Sequence, residues 1–146
     1  MNVGDYAYRF SGFAMERTTP NYLVGVGVMN LDPKNLITGH HTSAVAPIQG
    51  TGATLRVAHF SLSGSFGIPS NPMGPNDLEA KITFSQLDTD KDRPLQVLAA
   101  TFALVPAGDL DRFWLISTGA CNKTLKQLAI ECVTGEAVRM KTPRRH

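Results

Sequence analysis

Hydrophobic positions along the chain recur mainly with a period of two. In Leu78-Glu79-Ala80-Lys81-Ile82-Thr83-Phe84, the residues Ala80, Ile82 and Phe84 fall on one face and charged or hydroxyl side chains separate them. Successive side chains of a strand point to opposite faces, so this alternation predicts a half-buried strand. Tyr6-Ala7-Tyr8-Arg9-Phe10 alternates aromatic against small or polar, and residues 56–63 place Ala58, Phe60 and Leu62 together. Residues 22–29, 98–104 and 112–117 are more apolar throughout, as in strands covered on both sides.

Turn chemistry punctuates these runs: Asp32-Pro33-Lys34-Asn35, Gln49-Gly50-Thr51-Gly52, residues 88–94, Pro106-Ala107-Gly108-Asp109 and residues 119–124. Residues 68–77 hold three prolines and a glycine and predict a long irregular loop. Eight strands are predicted, at 6–10, 21–30, 36–45, 54–66, 78–86, 95–105, 112–120 and 126–133, with a ninth at 136–140. Residues 124–133 also fit a helix, with Leu125, Leu128, Ala129 and Cys132 on one face. The strand alternative, favoured by its neighbours, turns Leu128, Ile130 and Cys132 inward and Glu131 outward.

Sequential strands with short connections form an antiparallel meander, and about eight of them close into a barrel that leaves no exposed edge. The expected fold is therefore all-β: a single antiparallel up-and-down barrel over residues 1–138, followed by a basic tail at 139–146. Its interior has room for packed side chains or one small ligand. The inward set is Tyr6, Tyr8, Phe10, Ala58, Phe60, Leu62, Ala80, Ile82, Phe84, Leu98, Phe102, Leu104 and Ile130. Gly25 and Gly27 share a face and point to a strongly coiled strand or a close neighbour.

Composition narrows the reading. The chain has 146 residues, 42% of them hydrophobic, which suffices for one domain with a real core. Its net charge is +2, and removing the tail residues Arg139, Lys141, Arg144 and Arg145 takes it to −2. That balance argues against nucleic acid as a partner. A solvated end is the ordinary reading of the tail, and contact with a phosphate or acidic surface the alternative. The opening MNVGDYAYRF lacks a basic segment followed by an apolar one, and no run of about 18 apolar residues occurs. A cytoplasmic protein without membrane association is the expectation. A hairpin around Asn122-Lys123-Thr124 sets Cys132 near Trp114 and leaves Cys121 beside the turn, which predicts two free thiols.

The segments Tyr6-Ala7-Tyr8-Arg9-Phe10-Ser11-Gly12-Phe13, Asn35-Leu36-Ile37-Thr38-Gly39, Leu62-Ser63-Gly64-Ser65-Phe66 and residues 112–118 (RFWLIST) carry a resemblance. The chain resembles a family of small bacterial β-barrel proteins, similar in style to the lipocalin-like (calycin) and allene oxide cyclase-like barrels. The resemblance spans most of residues 6–118. It implies a calycin-like barrel of about eight strands with an apolar lumen.

Few residues point to chemistry. His40 and His41 are adjacent, so on a strand they face opposite ways and cannot share a metal; a polar strand is the simpler reading. His59 is out of phase with Phe60 and Leu62 and should face outward. With the opposite parity it would enter the lumen as an acid–base group. Asp88-Thr89-Asp90-Lys91-Asp92 opens like a calcium loop, but Arg93-Pro94 follows, which leaves a solvated turn. Arg56 shares the inward parity of Ala58 and Phe60. It either caps the barrel end or, with Tyr8, binds a ligand carboxylate. Arg112 and Trp114 share a face and should stack. Nucleotide-binding glycine patterns and nucleophile elbows do not occur.

The expected ligand-binding set is Tyr8, Phe10, Arg56, Phe60, Leu62, Ile82, Phe84, Phe102 and Leu104, with no metal and no cofactor. The leading expectation is a module that binds a small apolar ligand. One alternative is a cofactor-independent isomerase or cyclase working in the lumen, with Tyr8 or His59 as acid and the 68–77 loop as lid. The other is a filled barrel that forms homodimers.

Overall fold

The computed structural model describes residues 1–16, 19–48, 55–72, 74–87, 95–122 and 127–141; the side chains of residues 16, 120–122 and 127–130 fall outside that description. Eight strands form one closed sheet: β1 (Gly4–Glu16), β2 (Thr19–Leu31), β3 (Leu36–Pro47), β4 (Arg56–Gly67), β5 (Leu78–Gln86), β6 (Val97–Pro106), β7 (Arg112–Asn122) and β8 (Gln127–Arg139). Each pairs antiparallel with its sequence neighbours, and β8 returns to β1 from Tyr6 opposite Arg139 to Met15 opposite Ile130. The predicted up-and-down barrel is therefore the fold.

Two expectations about β8 are corrected. Residues 126–133 and 136–140 are not two strands: Thr134, Gly135 and Glu136 continue one strand through to Arg139. The glycine serves close packing rather than a turn, because a Cβ at Gly135 would run into the Arg9 carbonyl of β1. The expected facing is also reversed. Val133 and Ala137 are fully buried, Glu131 shares their parity, and Cys132 is exposed. Cys132 lies opposite Phe13 of β1, while Trp114 lies opposite Glu136. The Leu128, Ile130 and Cys121 side chains, the Gln49–Gly52 and Asp88–Asp92 turns, the Asn122-Lys123-Thr124 turn beyond Asn122, and the tail beyond Lys141 lie outside the described residues.

The other inward positions are as expected. Tyr6, Tyr8, Phe10, Phe60, Leu62, Ala80, Ile82, Phe84, Phe102 and Leu104 are buried, with Ala58 and Leu98 packed against them. The same interior takes Leu23, Met29, Leu31, Ile37, Phe66, Phe113 and Leu115 from residues that the alternation left unassigned. Burying each large apolar side chain stabilises the fold by about 1.5–3 kcal/mol, so this interior is the main source of its stability.

The end of the barrel that carries the chain terminus before β1, here called lower, is sealed. Tyr6 and Phe113 are fully buried and meet edge to face at 6.4 Å. The Tyr6 hydroxyl donates to the Asn2 carbonyl at 2.8 Å, with the Leu110 carbonyl at 3.3 Å. Its pKa is raised, chiefly by burial. Asp32 organises the β2–β3 turn by accepting from the Lys34 and Leu36 backbone N–H groups, and Asn35 adopts the left-handed φ of 62° that asparagine tolerates. Residues 68–77 join β4 to β5 at this same end.

Candidate functional site

The centre of the barrel is built around two glycines. On β2, Gly25 lies opposite Phe10 of β1 and Ser43 of β3, and Gly27 lies opposite Tyr8 and His41. Without side chains between them, rings from β1 and β3 meet across β2. A Cβ at Gly25 would stand 2.5 Å from His41 Cε1 and 2.7 Å from the Phe10 ring; one at Gly27 would stand 2.6 Å from the Tyr8 hydroxyl. The close neighbour that the glycines foretold is His41.

His41 is 4% exposed. It stacks on Tyr8 at 5.7 Å and 5° and on Phe10 at 5.3 Å and 23°. Phe84 meets it edge-on at 4.9 Å, and Phe60 lies 5.8 Å away. The Tyr8 hydroxyl lies 2.7 Å from His41 Nδ1. Burial pushes the phenol pKa up and the imidazole pKa down to about 4, because both charged forms are penalised in this apolar cage. At neutral pH both groups are uncharged. With the Tyr8 hydroxyl as donor to Nδ1, the neutral imidazole carries its hydrogen on Nε2.

Among the described residues the lumen holds a lower and an upper void. The lower, about 20 Å³, is wholly apolar and lined by Tyr8, Phe10, Met29, Ala80, Ile82, Phe84, Phe102, Leu104 and Leu115. The upper, about 40 Å³, is lined by Phe10, Leu23, Phe60, Phe84, Leu98, Ala99, Ala100 and Phe102 together with three polar residues, His41, Ser43 and Glu131. It has room for one or two water molecules. With Nδ1 occupied by Tyr8, the group that His41 offers to this void is Nε2–H. Among the described residues, no fully enclosed side-chain nitrogen or oxygen lacks a partner, so the Nε2–H group meets open space rather than dry packing.

The structure brings together Tyr8, Phe10, Phe60, Phe84 and Phe102 of the expected binding set, while Ile82 and Leu104 line only the lower void. Leu62 is buried in the interior and lines neither void. Arg56 is exposed at the start of β4, on the upper rim, so the pairing with Tyr8 is corrected; the hydroxyl is used by His41 instead. His59 is exposed on the outer face as its parity predicted, with Nδ1 2.8 Å from Thr42 Oγ1, which removes the lumenal alternative. The expected lid is also misplaced, since residues 68–77 lie at the lower end and the polar void lies in the upper half. Arg112 stacks over Trp114 at 5.4 Å, as expected.

His41 is the residue that sequence reasoning missed. Its signal was the odd-numbered set on β3: Ile37 and Val45 are apolar, and His41 and Ser43 continue their face. Among the described residues no group of three or more His, Cys, Asp or Glu side chains is placed to hold a metal ion. Comparison with family models, with curated proteins and with solved structures finds no match, so geometry alone bears on function.

Proposed function

We propose that the barrel binds a small, largely apolar molecule through one neutral hydrogen-bond acceptor, seated in the upper half of the lumen. The observation that carries this reading is the buried His41 imidazole, held by Tyr8 through Nδ1, at a mostly apolar void to which that arrangement presents Nε2–H. A donor held in apolar surroundings gains from an acceptor more than one in water does. A pocket that is mostly apolar, with a few convergent polar groups and a strongly shifted titratable residue, is the common form of a small-molecule site.

The polar lining narrows the ligand. A carboxylate head would meet a neutral imidazole and Glu131, with Arg56 out on the rim. A ketone, ester or ether oxygen suits the donor better. The 40 Å³ void accepts the oxygen and the atoms next to it. To admit the remainder of the ligand, the lining side chains Leu23 and Leu98 must move apart. An isomerase or cyclase would have to use the same donor, because Tyr8 is the one of its two expected acids that faces the lumen and its hydroxyl is engaged.

Native mass spectrometry of freshly purified protein, beside a denatured control, tests this. The expected result is a small bound compound that is lost on denaturation and absent from His41→Phe, together with binding of added 2-heptanone by the wild type alone. A bare chain mass with no 2-heptanone binding overturns the reading.

A further inference from the structure

We propose that the outer face of the upper halves of β1, β2 and β3 packs against the same face of a second copy of this chain. This surface is the sheet side opposite the lumen. It carries Phe13 and Met15 from β1 and Tyr22, Val24 and Val26 from β2, which are 39–56% exposed, and Val57 of β4 adjoins it at 54%. Strand register makes the patch continuous: Phe13 lies opposite Tyr22, Tyr22 opposite Ala46, Val24 opposite Ala44, and Ala44 opposite Val57. Phe13 and Tyr22 already pack ring to ring at 5.5 Å, so two large groups are pre-ordered on the surface.

The outer face further along β4 and on β5 differs in character, while Val105, Trp114, Ile116 and Val138 form a second exposed apolar group on β6–β8. At the equivalent outward positions β4 carries Ser61, Ser63 and Ser65, and β5 carries Lys81, Thr83 and Ser85.

Area supports a partner of this size and kind. Six side chains at about half exposure leave on the order of 500 Å² of apolar surface, near the upper end of what an isolated domain shows in one patch. A stable interface takes about 800 Å² from each partner, with an apolar centre and a more polar rim. Ala44, Ala46, Pro20, Ser11 and Thr42 border the patch and can supply the remainder.

A second copy is the occupant that the chemistry fits. Among the described side chains the six of the patch are uncharged; Arg9, opposite Val26 at the patch's lower border, is engaged by Glu136 at 2.7 Å. Two copies can therefore face each other without like-charge repulsion. The closed barrel has no free strand edge, so association proceeds face to face, as two sheets of a sandwich pack, and not by strand addition. A surface that pairs with itself closes at two copies.

Light scattering coupled to size exclusion, across a dilution series, reads this directly. The expected mass is twice the 15.8 kDa of one chain, falling to one chain in Val24→Glu. Val26→Lys should do the same, and circular dichroism confirms that each variant is folded. Ser63→Glu, on the hydroxylated side, should leave the wild-type mass unchanged. A wild type that is monomeric at every concentration, a species larger than two chains, or a dimer that persists in both folded β2 variants would each overturn the proposal.

Discussion

Acidification should destabilise this barrel through one buried imidazole. His41 titrates near 6.5 in the unfolded chain and near 4 in the folded one, because burial disfavours its charged form. As the pH falls, the unfolded chain takes up this proton first. The contribution is therefore complete above about pH 6.5, declines between 6.5 and 4, and changes no further below that. The full difference is roughly 3 kcal/mol, and about 2.5 kcal/mol of it is gone by pH 4.5. Against a typical domain stability of about 5–15 kcal/mol, that is a large loss from a single group.

Other groups titrate in the same range. The Glu136 carboxyl is held low by hydrogen bonds from Arg112 and Arg9 and loses its contribution as the pH falls below the ordinary carboxylate value. The reference must therefore be a variant that differs only at the imidazole. Tyr8→Phe/His41→Phe removes both partners of the buried hydrogen bond, so neither is left unsatisfied. Urea unfolding of both proteins at pH 7.5 and 4.5 should show the wild type losing about 2.5 kcal/mol more than the double variant. Equal losses would refute the burial and the neutrality of His41 together.

Three further outcomes follow from packing. Gly25→Ala should cost about 1–3 kcal/mol, because the new methyl meets the His41 and Phe10 rings inside contact distance and the stack must move; thermal unfolding with near-ultraviolet circular dichroism reads both effects. Phe84→Ala should cost about 3–5 kcal/mol in urea unfolding, since this 5%-exposed ring borders His41, Phe60, Phe102 and both voids. Ser117→Ala should cost about 1 kcal/mol and loosen the β7–β8 irregularity, where Ser117 Oγ donates to the Glu131 carbonyl at 3.1 Å and accepts from the Val133 N–H at 3.0 Å; amide exchange at Val133 checks it.

The strands and their closure were legible because alternation is strict over Tyr6–Phe10 of β1, Ala58–Leu62 of β4 and Ala80–Phe84 of β5, where aromatic or aliphatic residues face in and Arg9, Ser61 or Lys81 face out. Legibility failed where a residue served two purposes. Strands were expected at 126–133 and 136–140, whereas Gly135 is a mid-strand position pressed against the Arg9 carbonyl; the facing failed separately, because Leu128, Ile130 and Cys132 alternate as an apolar face in sequence. His41 reads as a polar strand residue, because no local pattern announces that Tyr8, 33 positions away, will satisfy its ring nitrogen. Gly25 and Gly27 marked the place where something had to approach. The register of β1 and β3 across β2, which decides what approaches, is a tertiary fact.

The most direct test of the lumenal site is a long-range proton–nitrogen NMR spectrum of the histidine rings, recorded at neutral pH with and without 2-heptanone. His41 should appear neutral, with its hydrogen on Nε2, and that nitrogen should shift on addition of the ketone along with the methyl groups of Leu23 and Ala100. A charged ring, a hydrogen on Nδ1, or a spectrum unmoved at saturating ketone would contradict the site.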